Sequence, residues 1–183
     1  MYSIKKYKKE VPVKDIVSDY VDVEKTLSAC RLCPNYNRRW PCPEHKFSPV
    51  SLWEKFTTAD LYCVQVIYDE DLMSSKLSTA KAQDLLNRSL EREKRQLRER
   101  LELKAASIKK SLVLSPGTCE LCPVCAREEG KPCRYPRHSH YSIESLGGDV
   151  EAITKNVFGL EIIWMEGNAL PPYLTAVGAI LRH

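Results

Sequence analysis

Glycine and phenylalanine are scarce, 7 and 3 of 183 residues, which excludes a low-complexity chain and an aromatic-rich sheet. No apolar run approaches the roughly 20 residues of a bilayer span; the longest, around 61–68 and 175–181, are strand-sized. The start, MYSIKKYKKEVPVKDIV, has lysines with no apolar stretch behind them. That pattern predicts neither a secretory signal nor a cleavable leader, and hence a cytoplasmic protein with no membrane association. G-x-S-x-G, the P-loop and G-x-G-x-x-G are all missing, so hydrolase, NTPase and Rossmann readings have no motif to stand on. An excess of one charge is missing too: 28 Lys+Arg against 24 Asp+Glu leaves +4, below the balance of a dedicated nucleic-acid domain. A nucleic-acid partner is therefore not expected.

What is present is a soluble globular composition, 43% hydrophobic and 28% charged, in a chain long enough for one or two domains without disulfide stapling. Residues 1–29 read as a basic N-terminal arm, with Lys5, Lys6, Lys8, Lys9 and Lys14 solvated or meeting phosphate. Residues 30–183 read as a single metal-binding domain. LYCVQVIY over 61–68 predicts a central strand, and KSLVLS over 110–115 a second, stopped by Pro116-Gly117 in a type II turn. Residues 78–106 predict one long polar helix with a stripe of Leu86, Leu90, Leu97, Leu101 and Ala105, broken near 93 or 94. Its charge run reads as a solvated face supported by the i,i+4 pairs Glu91–Arg95 and Arg95–Glu99. Asp149 is placed to N-cap a helix ending at Phe158, with Gly159 in the left-handed position after it. LEIIWME and LTAVGAILR predict two further strands. The expected fold is α+β: a four-stranded sheet packed against two helices, with both cysteine-rich loops at one end. Its αββ ending does not reproduce the βαββαβ order of a ferredoxin-like sandwich.

Eight cysteines are about 4% of the chain, below the density of disulfide scaffolds, and seven of them cluster. In a reducing compartment, clustered cysteines are metal ligands or redox thiols. Cys119, Cys122 and Cys125 form C-x2-C-x2-C, with Cys133 after seven intervening residues. Tight turns let such sulfurs converge, and a third cysteine on the same pitch favours a multi-iron cluster, since bacterial ferredoxins use that run for three corners of a cubane. Structural zinc more often takes two separated C-x2-C pairs. Ferredoxins close with C-x3-C-P, whereas Cys133 is more distant and follows Pro132.

Cys30, Cys33 and, after eight intervening residues, Cys42 give a second set of three. Its fourth ligand is open among Cys63, His45, a cysteine exchanged with the other set, and an exogenous group. Cys63 lies in a strand, where a free cysteine acts as a small hydrophobe. His45, His138 and His140 read as exposed histidines or as supports for ligands. A thioredoxin-like redox pair is a poor match, because that chemistry needs one accessible nucleophile and one resolving thiol. Glu144 and Asp149 read as helix-start charges, not acid–base catalysts. Pro34, Pro41, Pro43, Pro123, Pro132 and Pro136 stiffen the ligand loops. Arg31, Arg38, Arg39, Lys46, Arg127, Lys131, Arg134 and Arg137 crowd them, as loop solubilisers, as an offset to thiolate charge, or as a docking face for an acidic redox partner.

CRLCPNYNRRWPCP, followed by CELCPVCAREEGKPCRYPRHSHYSIESLGGDVEAI, resembles a prokaryotic family of predicted metal-binding proteins of unknown function, from Cys30 to the C-terminal strand. The family typically has Cys-Pro-Pro at Cys42-Pro43-Glu44 and Met-Glu at Ile143-Glu144. The resemblance implies cysteine-bound metal, of iron–sulfur type, and no established reaction. The expectation is a [4Fe–4S] centre on Cys119, Cys122, Cys125 and Cys133, with a second centre involving Cys30, Cys33 and Cys42. The protein would carry electrons for a redox partner and would not be a stand-alone enzyme. The alternative is a zinc-stapled module whose basic loops engage a protein or nucleic acid.

Overall fold

A computed structural model describes residues 1–183. Its elements run β1 (Tyr2–Pro12), α1 (Val13–Tyr20), α2 (Val23–Cys30), α3 (Pro49–Trp53), β2 (Thr58–Tyr68), α4 (Glu70–Ser74), α5 (Thr79–Arg88), α6 (Leu90–Ala105) and β3 (Leu112–Leu114). Two 3-10 turns (Ala126–Glu129 and Glu144–Leu146), α7 (Val150–Phe158) and β4 (Tyr173–Arg182) complete the chain. The sheet is four-stranded and antiparallel, in the order β1-β2-β4-β3, so the architecture is α+β as expected. No helix is long and apolar enough to cross a membrane.

Register divides the core. Ala59, Leu61 and Cys63 of β2 pair with Leu181, Ala179 and Val177 of β4, and these six share one face with α1, Trp53, the 143–146 segment and Ile153 of α7. Val64 and Ile180 point to the other face, where Leu97 and Leu101 of α6 cover them. Successive strand residues face opposite sides, so one register settles both layers. Gly178 lets β4 pack under α6: a Cβ there would lie 2.8 Å from Leu101 Cδ1 and 2.8 Å from the Leu114 carbonyl.

The lysine-rich N-terminus is not a solvated arm. β1 pairs with β2 from Tyr2↔Tyr68 to Pro12↔Thr58, half-burying Tyr2, Ile4, Tyr7 and Val11 while its lysines stay in water. Lysines on an edge strand discourage pairing with another chain. LEIIWME is not a strand either. Residues 160–165 carry no ladder, Glu166 makes an isolated bridge to Ala169, and Trp164 is 69% exposed. Strand-forming side chains need a partner edge, and this segment is held elsewhere: Leu160 N–H bonds the Thr154 carbonyl after left-handed Gly159, and Tyr173 Oη bonds the Glu161 carbonyl.

The long helix is two. Ser89, fully buried with φ −109° and ψ −91°, meets Tyr68 Oη at 2.8 Å and donates to the Leu85 carbonyl at 2.7 Å. The break turns the α5 leucines onto the Tyr68 cluster, while α6 packs on Val64 and Ile180. The gap in the apolar stripe is Glu93, which is buried. The surface pairs are Asp84–Arg88 and Glu91–Lys94, in place of those expected for Arg95. α7 follows the reading closely: Asp149 accepts from Ala152 N–H at 2.9 Å, and Gly159 has φ 69°.

Candidate metal centre

Cys30 is the last residue of α2, a helix N-capped by Asp22, which accepts from Lys25 N–H at 2.9 Å. Beyond it the chain folds in short turns, with Cys33 N–H on the Cys30 carbonyl (2.9 Å), Tyr36 N–H on that of Cys33 (3.0 Å) and Cys42 N–H on that of Arg39 (3.0 Å). Asn37 N–H on the Pro43 carbonyl (2.7 Å) closes the loop on itself. This is the tight-turn geometry that C-x2-C spacing predicts. The loop is fastened to the fold by His45, whose Nε2 donates to the Ser145 carbonyl at 2.8 Å while its ring stacks on Phe47 and meets Tyr141 edge-on.

The second loop leaves β3 through Gly117, at φ 75°, as the Pro116-Gly117 turn requires. Cys125 caps the turn Ala126–Glu129, left-handed Gly130 ends it, and Lys131 N–H returns to the Ala126 carbonyl at 2.9 Å, leading the chain back to Cys133. Arg134 Nη1 donates to the Val124 carbonyl at 2.8 Å, drawing the Cys133 end onto the C-x2-C-x2-C run.

Arginines join the two loops. Arg39 of the first donates to the Cys119 and Cys122 carbonyls at 2.9 and 3.3 Å. Arg127 of the second donates to the Arg39 and Cys42 carbonyls at 2.8 and 2.6 Å, to Asn37 Oδ1 at 2.6 Å and to the Glu44 carbonyl at 3.0 Å. Arg127 also lies over the Trp40 ring, Trp40 Nε1 donates to the Lys131 carbonyl, and Arg38 pairs with Glu128 at 2.6 Å. Arg39 and Arg127 thus each bind backbone of the other loop, at a cysteine's own carbonyl or within three residues of one. The sequence offers these arginines as solubilisers, as an offset to thiolate charge or as a docking face; for Arg39 and Arg127 the structure adds a role as fasteners. Their reciprocity has no signature in the linear pattern.

All eight cysteines are free thiols. Burial, with the neighbouring Cys33 and Cys42 and with Glu144 adding to it, pushes Cys30 up to about 11. Burial also raises Cys42, although Thr118, Arg39 and Arg127 oppose the rise. Cys119 is raised by burial, partly offset by hydrogen bonds from Leu121 and Ser139, with Cys133 and Cys125 adding to the rise. Within each set the thiols feel one another: Cys30 with Cys33 and Cys42, and Cys119 with Cys125 and Cys133. Cys63 stands apart, 1% exposed in the core of β2 and pushed by burial to about 12, which makes it a packing residue. His138 and His140 face Glu102 of α6, at 3.4 and 2.9 Å, and tie the second loop to that helix.

No three Cys, His, Asp or Glu side chains meet at metal-ligating spacing; the loops hold the sulfur donors as neighbours without closing them on one point. The donor chemistry nevertheless fits a soft metal centre. Half-buried thiols that raise one another's pKa ionise readily only when a cation joins them, and soft metals select thiolate donors.

His45 carries a pH dependence. Burial and the charge of Arg127 hold its imidazole below the usual 6.5, against the Ser145 carbonyl. The folded state therefore favours the neutral ring, and its contribution to stability, present above the unfolded pKa, is lost as pH falls through the lowered folded value. His140, lowered by burial against Glu102, acts in the same direction. The thermal midpoint is expected to fall between about pH 7 and pH 5, and His45→Gln to flatten that slope; an unchanged slope in the variant refutes the assignment.

No curated protein and no solved structure matches the chain. A family model described as "Predicted metal-binding protein (DUF2284)" matches residues 10–181, nearly the whole sequence, and the chain belongs to that family.

Proposed function

We propose that this protein is an iron–sulfur electron carrier of the cytoplasm, with a [4Fe–4S] centre on Cys119, Cys122, Cys125 and Cys133 and a second metal centre on Cys30, Cys33 and Cys42. Such a centre supplies one-electron redox chemistry when bound. The observation that carries the reading is the reciprocal arginine fastening. A structural zinc acts as the staple of an otherwise loose loop, whereas here the loops are already joined by Arg39, Arg127 and the Arg38–Glu128 pair. Fixing two centres relative to one another serves electron passage between them, and guanidinium charge beside the ligand loops offsets thiolate charge.

The surroundings suit a protein partner. Leu32 and Val124, each inside a C-x2-C turn, are 89% and 53% exposed, and Tyr135 is 50% exposed two residues after Cys133. Exposed apolar side chains beside the thiol sets match the centre of a transient interface with a redox protein.

The test is iron, sulfide and zinc content with the visible spectrum, on protein purified without oxygen. The expected result is brown protein, bleached by dithionite, with about four irons and matching sulfide per occupied centre and about eight when both are full. Colourless protein holding zinc and no sulfide overturns the electron-transfer reading.

A further inference from the structure

Cys30, Cys33 and Cys42 are one donor short of the four that a tetrahedral site or the corners of a cubane take. We propose that Glu144 is the fourth protein ligand of this centre. The proposal deepens the reading above and rests on the first loop binding metal, whether iron or zinc.

Placement carries it. Two cavities, of about 240 and 450 Å³, flank the end of α2, and Cys30 and Glu144 line both of them. Cys30 and Glu144 therefore share the lining of both cavities, with Cys33 bordering the larger and Pro43, next to Cys42, the smaller. Of the other protein candidates, Cys63 is in the core and His45 uses Nε2 on Ser145, while the cysteines of the second set line neither cavity.

The juxtaposition is also built. α2 docks on the turn Glu144–Leu146 and its exit through Asp22 N–H and Thr26 Oγ1, both on the Gly147 carbonyl at 2.9 and 3.1 Å, and through Lys25–Asp149 at 2.6 Å. Gly147, at φ +86°, has no room for a side chain, since its Cβ would lie 2.8 Å from Val23 Cγ2. Ser142 and Ser145 bond each other's N–H groups at 3.0 and 3.1 Å, and buried Trp53 donates from Nε1 to the Leu146 carbonyl at 3.0 Å. A ligand carried on such a turn is held in place before metal arrives.

Glu144 forms no ion pair, since Lys25 is held by Asp149. As a harder donor than sulfur, Glu144 makes this centre the more exchangeable of the two.

The test uses the full chain carrying Cys119→Ser, Cys122→Ser, Cys125→Ser and Cys133→Ser, which removes the second thiol set; the Arg39 fastening survives because it binds carbonyls. The metal-free protein is titrated with Co(II), whose thiolate charge-transfer absorption reports the number of sulfur ligands. Glu144→Cys is expected to raise that absorption from a three-thiolate to a four-thiolate intensity, and Glu144→Gln to weaken Co(II) affinity by about 10-fold or more. Parent-like spectra and affinities in both variants, or no Co(II) binding by the parent, overturn the proposal; circular dichroism checks folding, and either variant alone decides if the other fails to fold. The same proteins are then reconstituted with iron and sulfide. A parent that answers cobalt as expected but assembles no cluster refutes the iron–sulfur reading and leaves Glu144 in place. A cluster indifferent to both Glu144 variants removes Glu144 and leaves that reading standing.

Discussion

Arg127→Ala is expected to lower the stability of the protein by about 3 kcal/mol and to loosen the metal proposed for Cys30, Cys33 and Cys42. The guanidinium donates to four acceptors: the Arg39 and Cys42 carbonyls, Asn37 Oδ1 and the Glu44 carbonyl. Hydrogen bonds to a charged group contribute about 1.5–3 kcal/mol each, but Arg127 is only half-buried, so solvent screening and replacement by water bring the sum down to the figure given. Arg127→Lys keeps the charge and loses the planar fork, so it recovers only part of the stability. Exposed Arg137, which makes no hydrogen bond to the other loop, serves as the control: Arg137→Ala stays within about 0.5 kcal/mol of the parent. Urea midpoints measure the stabilities, and the rate at which a chelator strips metal measures the loosening. A lysine variant indistinguishable from the parent in both would show that charge alone joins the loops.

Trp53→Ala is expected to cost about 4 kcal/mol, in the range of large aromatic truncations in a packed core. Trp53 is fully buried between α1, β2 and the 143–146 segment, and its indole N–H satisfies the Leu146 carbonyl. Truncation leaves both a cavity and an unpartnered carbonyl. Against a total stability of about 5–15 kcal/mol, that loss brings the midpoint close to ordinary temperatures. Trp53→Phe keeps most of the apolar volume and loses the hydrogen bond, so its cost is about 1–2 kcal/mol. The functional consequence is selective. Because the Leu146 carbonyl belongs to the turn that carries Glu144, metal at the first set should weaken in Trp53→Phe while the Cys119–Cys133 set is unaffected; equal loss at both sets would point to general destabilisation instead.

The elements that matched their sequence reading are those governed by neighbours along the chain. β2 and β4 are long runs of apolar and β-branched residues, and α7 is framed by a capping aspartate and a terminating glycine. The elements that departed from it depend on distant partners. β1 hid because Lys5, Lys6, Lys8 and Lys9 are interleaved with Tyr2, Ile4, Tyr7 and Val11 in equal number, and period-two alternation shows clearly only where one face is well buried. The helix break at Ser89 answers to Tyr68 Oη, 21 residues away, and to the two different clusters that α5 and α6 cover. LEIIWME has the composition of a strand, but neighbouring bonds hold it off the sheet.

The candidate site divides along the same line. The sequence by itself determined the donor inventory, seven clustered thiols in two turn-rich loops, and through its motifs the family, because ligand spacing and turn chemistry are local properties. Only the tertiary structure decided that the loops form one unit, through contacts such as Arg39–Cys119 and Arg127–Cys42 across 80 and 85 residues. It alone removed Cys63 to the core and set Glu144 beside Cys30. Such contacts are set by how helices and turns dock on the sheet, and a guanidinium or carboxylate in the linear chain carries no mark of the backbone or thiol it will face.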